Sequence, residues 1–87
     1  TDMQLSNNYP NPFNPSTTIS YNLSKASNVQ LFVYDLTGRK VAELVNAKQN
    51  AGSHSVQWNA SDMPSGFYFY KMTAGDFELT KRMMLIK

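Results

Sequence analysis

The sequence predicts an all-β fold, an antiparallel β-sandwich of about seven short strands. Apolar residues recur with period two along most of the chain, turn signals interrupt the runs about every 8–12 residues, and no stretch makes a convincing helix. One domain is expected, because 87 residues rarely support two hydrophobic cores. Hydrophobic residues make up 41% of the chain, and eleven residues are aromatic, so the material for one core is present.

Residues 1–8 are polar and aperiodic, as in a linker or a frayed N-terminal edge, although Met3 and Leu5 alternate and could seed a short first strand. Residues 9–87 are expected to hold the domain proper. Three of the four prolines fall in Tyr9-Pro10-Asn11-Pro12-Phe13-Asn14-Pro15-Ser16. Each fixes its own φ and keeps the preceding residue out of the α region. The segment therefore reads as a stiff arm, with Tyr9 and Phe13 able to pin it to a core.

Beyond the arm, Ile19, Tyr21 and Leu23 alternate with Thr18, Ser20 and Asn22. Val29, Leu31 and Val33 set the next strand, while Phe32 and Tyr34 make its second face apolar too. Asp35-Leu36-Thr37-Gly38 is a turn, with Asp as side-chain acceptor and Gly closing the hairpin. Residues 40–48 are ambiguous: Val41, Leu44 and Val45 fit a helical turn as well as a strand, and a stretch of this length between strands favours a strand. His54, Val56 and Trp58 alternate with Ser53, Ser55 and Gln57. Phe67 to Met72 is apolar on both faces apart from Lys71, as in a central strand. Phe77 and Leu79 open a last run that breaks at Thr80-Lys81-Arg82 before Met83-Met84-Leu85-Ile86, where a bulge or a change of sheet is expected. The core should include Ile19, Leu31, Val33, Val56, Trp58, Tyr68 and Tyr70.

Charge and chemistry narrow the function. Eight basic and six acidic residues are 16% of the chain, below the roughly 25% of an average soluble domain. A formal charge of +2 without a basic stripe leaves no nucleic-acid footprint. The absence of cysteine excludes disulfides, thiolate metal sites and a cysteine nucleophile. No apolar run approaches the roughly 20 residues of a transmembrane segment, and no signal peptide is visible. His54 is the one histidine, and it has no second histidine or cysteine to complete a nucleophilic system. The acids sit mostly in turns, where Asp caps backbone N–H groups. Asp62 or Asp76 could bind calcium with nearby carbonyls, but the Asp-x-Asp-x-Asp-Gly spacing is missing. No catalytic residue, metal site or cofactor is expected. Lys71, Lys81, Arg82 and Lys87 gather basic charge in the last quarter, where charges ordinarily protect an edge strand.

Five stretches together carry a family resemblance. They are residues 9–19, opening Tyr9-Pro10-Asn11-Pro12-Phe13; Val33-Tyr34-Asp35-Leu36-Thr37-Gly38-Arg39-Lys40-Val41; Trp58-Asn59; Ser65-Gly66-Phe67-Tyr68-Phe69-Tyr70-Lys71-Met72; and Thr80-Lys81-Arg82-Met83-Met84-Leu85-Ile86-Lys87. In this order and spacing, over about residues 5–87, the chain resembles the type A C-terminal sorting domain of type IX secretion. The resemblance implies an Ig-like sandwich at the end of a larger secreted protein, with the parent cargo domain N-terminal to Thr1. It implies a non-catalytic secretion signal that directs cargo, folded in the periplasm, through an outer-membrane translocon to the cell surface or extracellular space. The implied partners are that translocon and a sortase-like cysteine protease, which in the family often removes the domain. Residue by residue, the motifs assign translocon recognition to Gly66 and Tyr68 in the Gly-x-Tyr segment and to Lys81, Arg82 and Lys87 in the terminal segment.

Two other readings compete. A polysaccharide-binding module of a secreted hydrolase would use Phe67, Phe69 and Trp58 as a platform, and a structural Ig-like spacer would use none of them. A spacer is expected in mid-chain and a sorting signal at a chain end, and the terminal motif here runs to Lys87. The last strand is expected to carry the export signal, its free edge pairing backbone to backbone while basic residues set the register.

Overall fold

Period-two alternation is realised as two packed antiparallel sheets. The computed structural model describes residues 3–86. Its strands are β1 (Gln4–Leu5), β2 (Ser16–Leu23), β3 (Ser27–Tyr34), β4 (Lys40–Gln49), β5 (Gly52–Asn59), β6 (Gly66–Ala74) and β7 (Phe77–Leu85). The sheets have the orders β1-β2-β5 and β4-β3-β6-β7, with every neighbour antiparallel. Compared with an Ig constant-type domain, the fourth strand lies beside the third instead of extending the sheet of the first, second and fifth.

Ile19, Tyr21 and Leu23 of β2 face Val29, Leu31 and Val33 of β3 and Tyr68, Tyr70 and Met72 of β6 across one buried core. Val56, expected among them, is only half-buried. It lies on β5, the outer strand of the smaller sheet, and Trp58 is the residue of that strand that reaches the interior. The Tyr21 hydroxyl donates to Gln49 Oε1 and so ties β2 to the end of β4. At the β3–β4 turn, Asp35 Oδ1 accepts from Thr37 N at 2.9 Å and Arg39 N at 3.1 Å, and Gly38 takes φ +88°. The hydroxyl of Thr37 is the main cause holding the Asp35 carboxyl below its usual range, followed in the same direction by the backbone amides and Arg39.

β4 is a strand, and its helix-like spacing has a cause. Leu31 pairs with Val45 but Phe32 with Glu43, and Val33 pairs with Ala42 but Tyr34 with Lys40. Leu44 and Val41 are therefore the extra residues of two bulges. Each extra residue resets the alternation, which lets Val41, Leu44 and Val45 all pack on the core. β7 behaves in the opposite way. It pairs with β6 in a single register from Phe77 opposite Ala74 to Leu85 opposite Gly66, so the bulge or sheet change expected at Thr80-Lys81-Arg82 does not occur. Phe77, Leu79, Lys81, Met83 and Leu85 share the inner phase, yet only Met83 and Leu85 are buried. The facing sheet has one strand fewer and its β1 is two residues long, which leaves Leu79 38% exposed. The apolar pattern lapses there because the strand overhangs.

The N-terminal segment is packed from Met3 onward; Thr1 and Asp2 lie outside the described residues. Gln4 and Leu5 pair with Asn22 and Tyr21, and Leu5 and Asn8 are buried. The hydroxyl of Tyr70 donates to Ser6 O at 2.8 Å. Asn8 Nδ2 then donates to Pro10 O and Thr17 Oγ1, while that hydroxyl donates to Pro10 O at 2.8 Å. Of the two arm aromatics, Phe13 is 1% exposed and Tyr9 is 81% exposed, so Phe13 is the ring that pins the arm, while Tyr9 is held only through its backbone, bridged to Thr18. Its ring meets Trp58 at 5.8 Å between centroids.

Phe13→Ala is expected to lower stability by about 3–5 kcal/mol in urea titrations, whereas Tyr9→Ala should change it by less than about 0.5 kcal/mol. Burial pushes the Tyr70 phenol from its ordinary 10.0 up to about 12. The neutral phenol is thereby favoured in the folded state, a contribution complete below the unfolded value and lost as pH rises through the folded one. Trp58 fluorescence should report unfolding as pH climbs between those two values, and Tyr70→Phe should move that limb upward.

Candidate recognition surface

Edge strands are where a sandwich meets strand-like partners, because their outer N–H and C=O groups have no ladder neighbour. β7 is such an edge. The two-residue turn at Gly75-Asp76 makes Ala74–Phe77 a hydrogen-bonded pair, so Phe77, Leu79, Lys81 and Met83 direct their backbone groups to β6. Glu78, Thr80, Arg82 and Met84 direct theirs outward. At the far end, the proline arm takes those groups. Met84 N donates to Asn11 Oδ1 at 3.1 Å, Phe13 N donates to Met84 O at 3.0 Å, and Ile86 N donates to Phe13 O at 3.0 Å. Residues 84–86 are thus capped, and over residues 77–83 no strand covers the edge among the described residues.

The outer face of the larger sheet carries aromatic and basic side chains in register. Phe32 pairs with Lys71, Tyr34 with Phe69, Phe69 with Arg82 and Phe67 with Met84. The Arg82 guanidinium lies 4.9 Å from the centre of the Phe67 ring, and the Lys40 ammonium 4.6 Å from that of Phe32, both within cation–π range. Lys40 is paired to Glu43 at 2.8 Å and Lys71 to Glu78 at 3.1 Å. The hydrogen bond that the Lys71 ammonium donates to Glu78 raises it above its usual range. Arg82 is exposed, Lys81 is half-buried on the inner phase opposite Tyr70, and neither makes an ion pair among the described residues. Lys87 lies outside the described residues.

Gly66 and Tyr68 occupy a different setting. Gly66 has φ +147°, and a Cβ there would meet nothing within 4 Å, so the demand for glycine is conformational. Tyr68 is buried; its ring meets Trp58 edge-on at 5.5 Å and its hydroxyl donates to Pro64 O at 2.7 Å. A tyrosine early in the sixth strand, bonded to backbone just upstream, is the tyrosine corner of Ig-like sandwiches. Desolvation raises its phenol above the usual value. The pair shapes the entry into β6 directly across from Leu85, where Gly66 is the partner.

The aromatic platform does not assemble: Phe67 and Phe69 lie on the outer face, while Trp58 is buried between Phe13 and Tyr68. His54 stacks on Tyr21 at 5.4 Å, with Nε2 2.8 Å from Asn50 O, a structural role. Sequence reasoning missed the capping of β7 by Asn11 and Phe13. Phe13 was legible as a pin, but its target lies 71 to 73 residues further along.

A family model for the secretion system C-terminal sorting domain matches residues 7–87. The chain belongs to the type IX secretion C-terminal sorting domain family. Among solved structures, PorZ, an essential bacterial surface component of the type-IX secretion system of Porphyromonas gingivalis, matches with a TM-score of 0.64 at 22% identity. The match covers 98% of this chain and 11% of PorZ, and shows the shared fold. No curated protein matches the sequence. In this sorting domain the motif residues fall into two groups: Gly66 and Tyr68 build the β6 corner, whereas Lys81 and Arg82 stand on the open strand. Tyr68→Phe should cost about 1 kcal/mol through the lost hydroxyl bond, and Gly66→Ala should also destabilise. Arg82→Ala should stay within about 0.5 kcal/mol, all three read by chemical denaturation.

Proposed function

We propose that this sorting domain directs a cargo protein, joined N-terminally to Thr1, from the periplasm through the type IX translocon, and that the machinery reads it at β7. Type IX substrates reach the cell surface or the extracellular space, and the family is one of sorting signals, not of catalysts. The observation that carries the β7 reading is the contrast within the motifs: Lys81 and Arg82 stand on an open strand and make no ion pair among the described residues, while Tyr68 is buried. In this reading Lys81, Arg82 and Lys87 make the contact. Gly66 and Tyr68 are positioning residues, which fix the β6 corner against which the end of β7 is laid.

Removal by a sortase-like cysteine protease belongs to the same proposal. A cut before Met3 would spare the contacts of the fold, because Met3 packs on the core and from Gln4 the backbone is held in the β1–β2 ladder.

The test fuses residues 1–87 behind a folded reporter bearing a signal peptide, in a bacterium with a working type IX system. The reporter is expected at the surface or in the medium. Lys81→Ala with Arg82→Ala should strand it in the periplasm at an unchanged melting temperature. An intact, folded fusion that never leaves the periplasm would sink the sorting role for this chain, and undiminished export of the double variant would remove the basic rim from it.

A further inference from the structure

We propose that β7 pairs edge to edge with β7 of a second copy of this chain, in an antiparallel register centred on Thr80. The inference comes from the free edge itself and does not rest on the sorting role.

Two of the other edges are blunted in recognisable ways. β4 is broken by two bulges, and β1 is two residues long. β5 is unbroken but carries no acidic or basic side chain to set a register beyond one histidine. β7 alone combines a continuous register, an open outer side and charges of both signs. The outward backbone groups belong to Glu78, Thr80 and Arg82. Placing Thr80 opposite its own copy makes hydrogen-bonded pairs of Thr80 with Thr80 and of Glu78 with Arg82, twice by symmetry. Opposite charges and Thr–Thr pairs are the favourable cross-strand combinations. Phe77 then faces Met83, and Leu79 faces the aliphatic stem of Lys81, which covers the apolar surface left open under the overhang. The stretch Phe77-Glu78-Leu79-Thr80-Lys81-Arg82-Met83 is complementary to itself read backwards.

The ends fit as well. In this register the copy's strand begins at its Phe77, opposite Met83, and the next position along is Met84, where the proline arm takes over the edge. The arm therefore sets the length of the paired segment, and the two four-stranded sheets become one continuous sheet across the dyad. Glu78 bonds Lys71 through Oε2, which leaves Oε1 to the partner's guanidinium, and stacking on Phe67 leaves the edge of that guanidinium available. One element opposes the pairing. Lys81 and its copy are diagonal neighbours on the inner face, and inward charges of this kind weaken edge association.

Sedimentation of the 87-residue chain over a concentration series tests the proposal. A monomer–dimer equilibrium is expected, weakened by salt because the charge pairs are exposed. Arg82→Glu should loosen it by at least about tenfold, and Glu78→Arg combined with Arg82→Glu should recover most of the loss. Lys81→Met should tighten it. Thr80→Pro should abolish it while circular dichroism keeps its β signature, since that N–H faces away from β6. A chain that stays monomeric up to about 1 mM overturns the proposal. So does a dimer that survives Thr80→Pro, which would form by strand exchange or through another face.

Discussion

Phe13 closes this molecule. Its amide and carbonyl bracket the end of β7 through Met84 and Ile86, and its ring sits on Trp58, which in turn meets Tyr68. Tyr68 passes the constraint on to Pro64 through its hydroxyl. One residue thus joins an N-terminal arm, the outer strand of the smaller sheet, the corner of β6 and the last strand, through its ring and its backbone together. The arm is suited to this because three prolines already restrict the unfolded chain, so docking it orders less freedom than an ordinary loop would lose. Everything near the Leu85 end of the sandwich depends on that closure, including the position of the residues that flank Gly66.

The closure has a consequence for recognition. β7 is anchored at one end and open in its middle, because the arm covers residues 84–86 and the shorter sheet fails to cover Leu79 and Lys81. A strand with an exposed backbone edge and two cations that make no ion pair among the described residues is a defined feature on a folded surface. A sorting signal read on a folded cargo needs such a feature, since a linear motif buried in a core is invisible to a partner. Tyr68 illustrates the difference: it is prominent in the motif and absent from the surface.

Edge management separates β4 from β7. Both flank the same sheet, but β4 breaks its ladder with two extra residues while β7 keeps a single register and relies on one inward lysine. Bulges make an edge a poor template for another strand. The asymmetry leaves one side of the domain able to accept a strand and the other side closed to it.

What the sequence determined by itself is the alternation. Ile19, Tyr21 and Leu23, then Val29, Leu31 and Val33, then Tyr68, Tyr70 and Met72 were legible as inner faces because side-chain direction in a strand is a local property with period two. The family motifs and the turn at Asp35 were legible for the same reason, being short and contiguous. Tertiary structure decided the rest. Val41, Leu44 and Val45 resembled a helix because bulges, which exist only relative to a neighbouring strand, shift the phase. The lapse at Thr80-Lys81-Arg82 resembled a break because coverage depends on how many strands the opposite sheet contains. Trp58 and Phe67 looked like members of one platform until packing turned one inward and left the other outside. The cap on β7 joins residues some seventy positions apart, and no local pattern encodes which distant edge a proline arm will close.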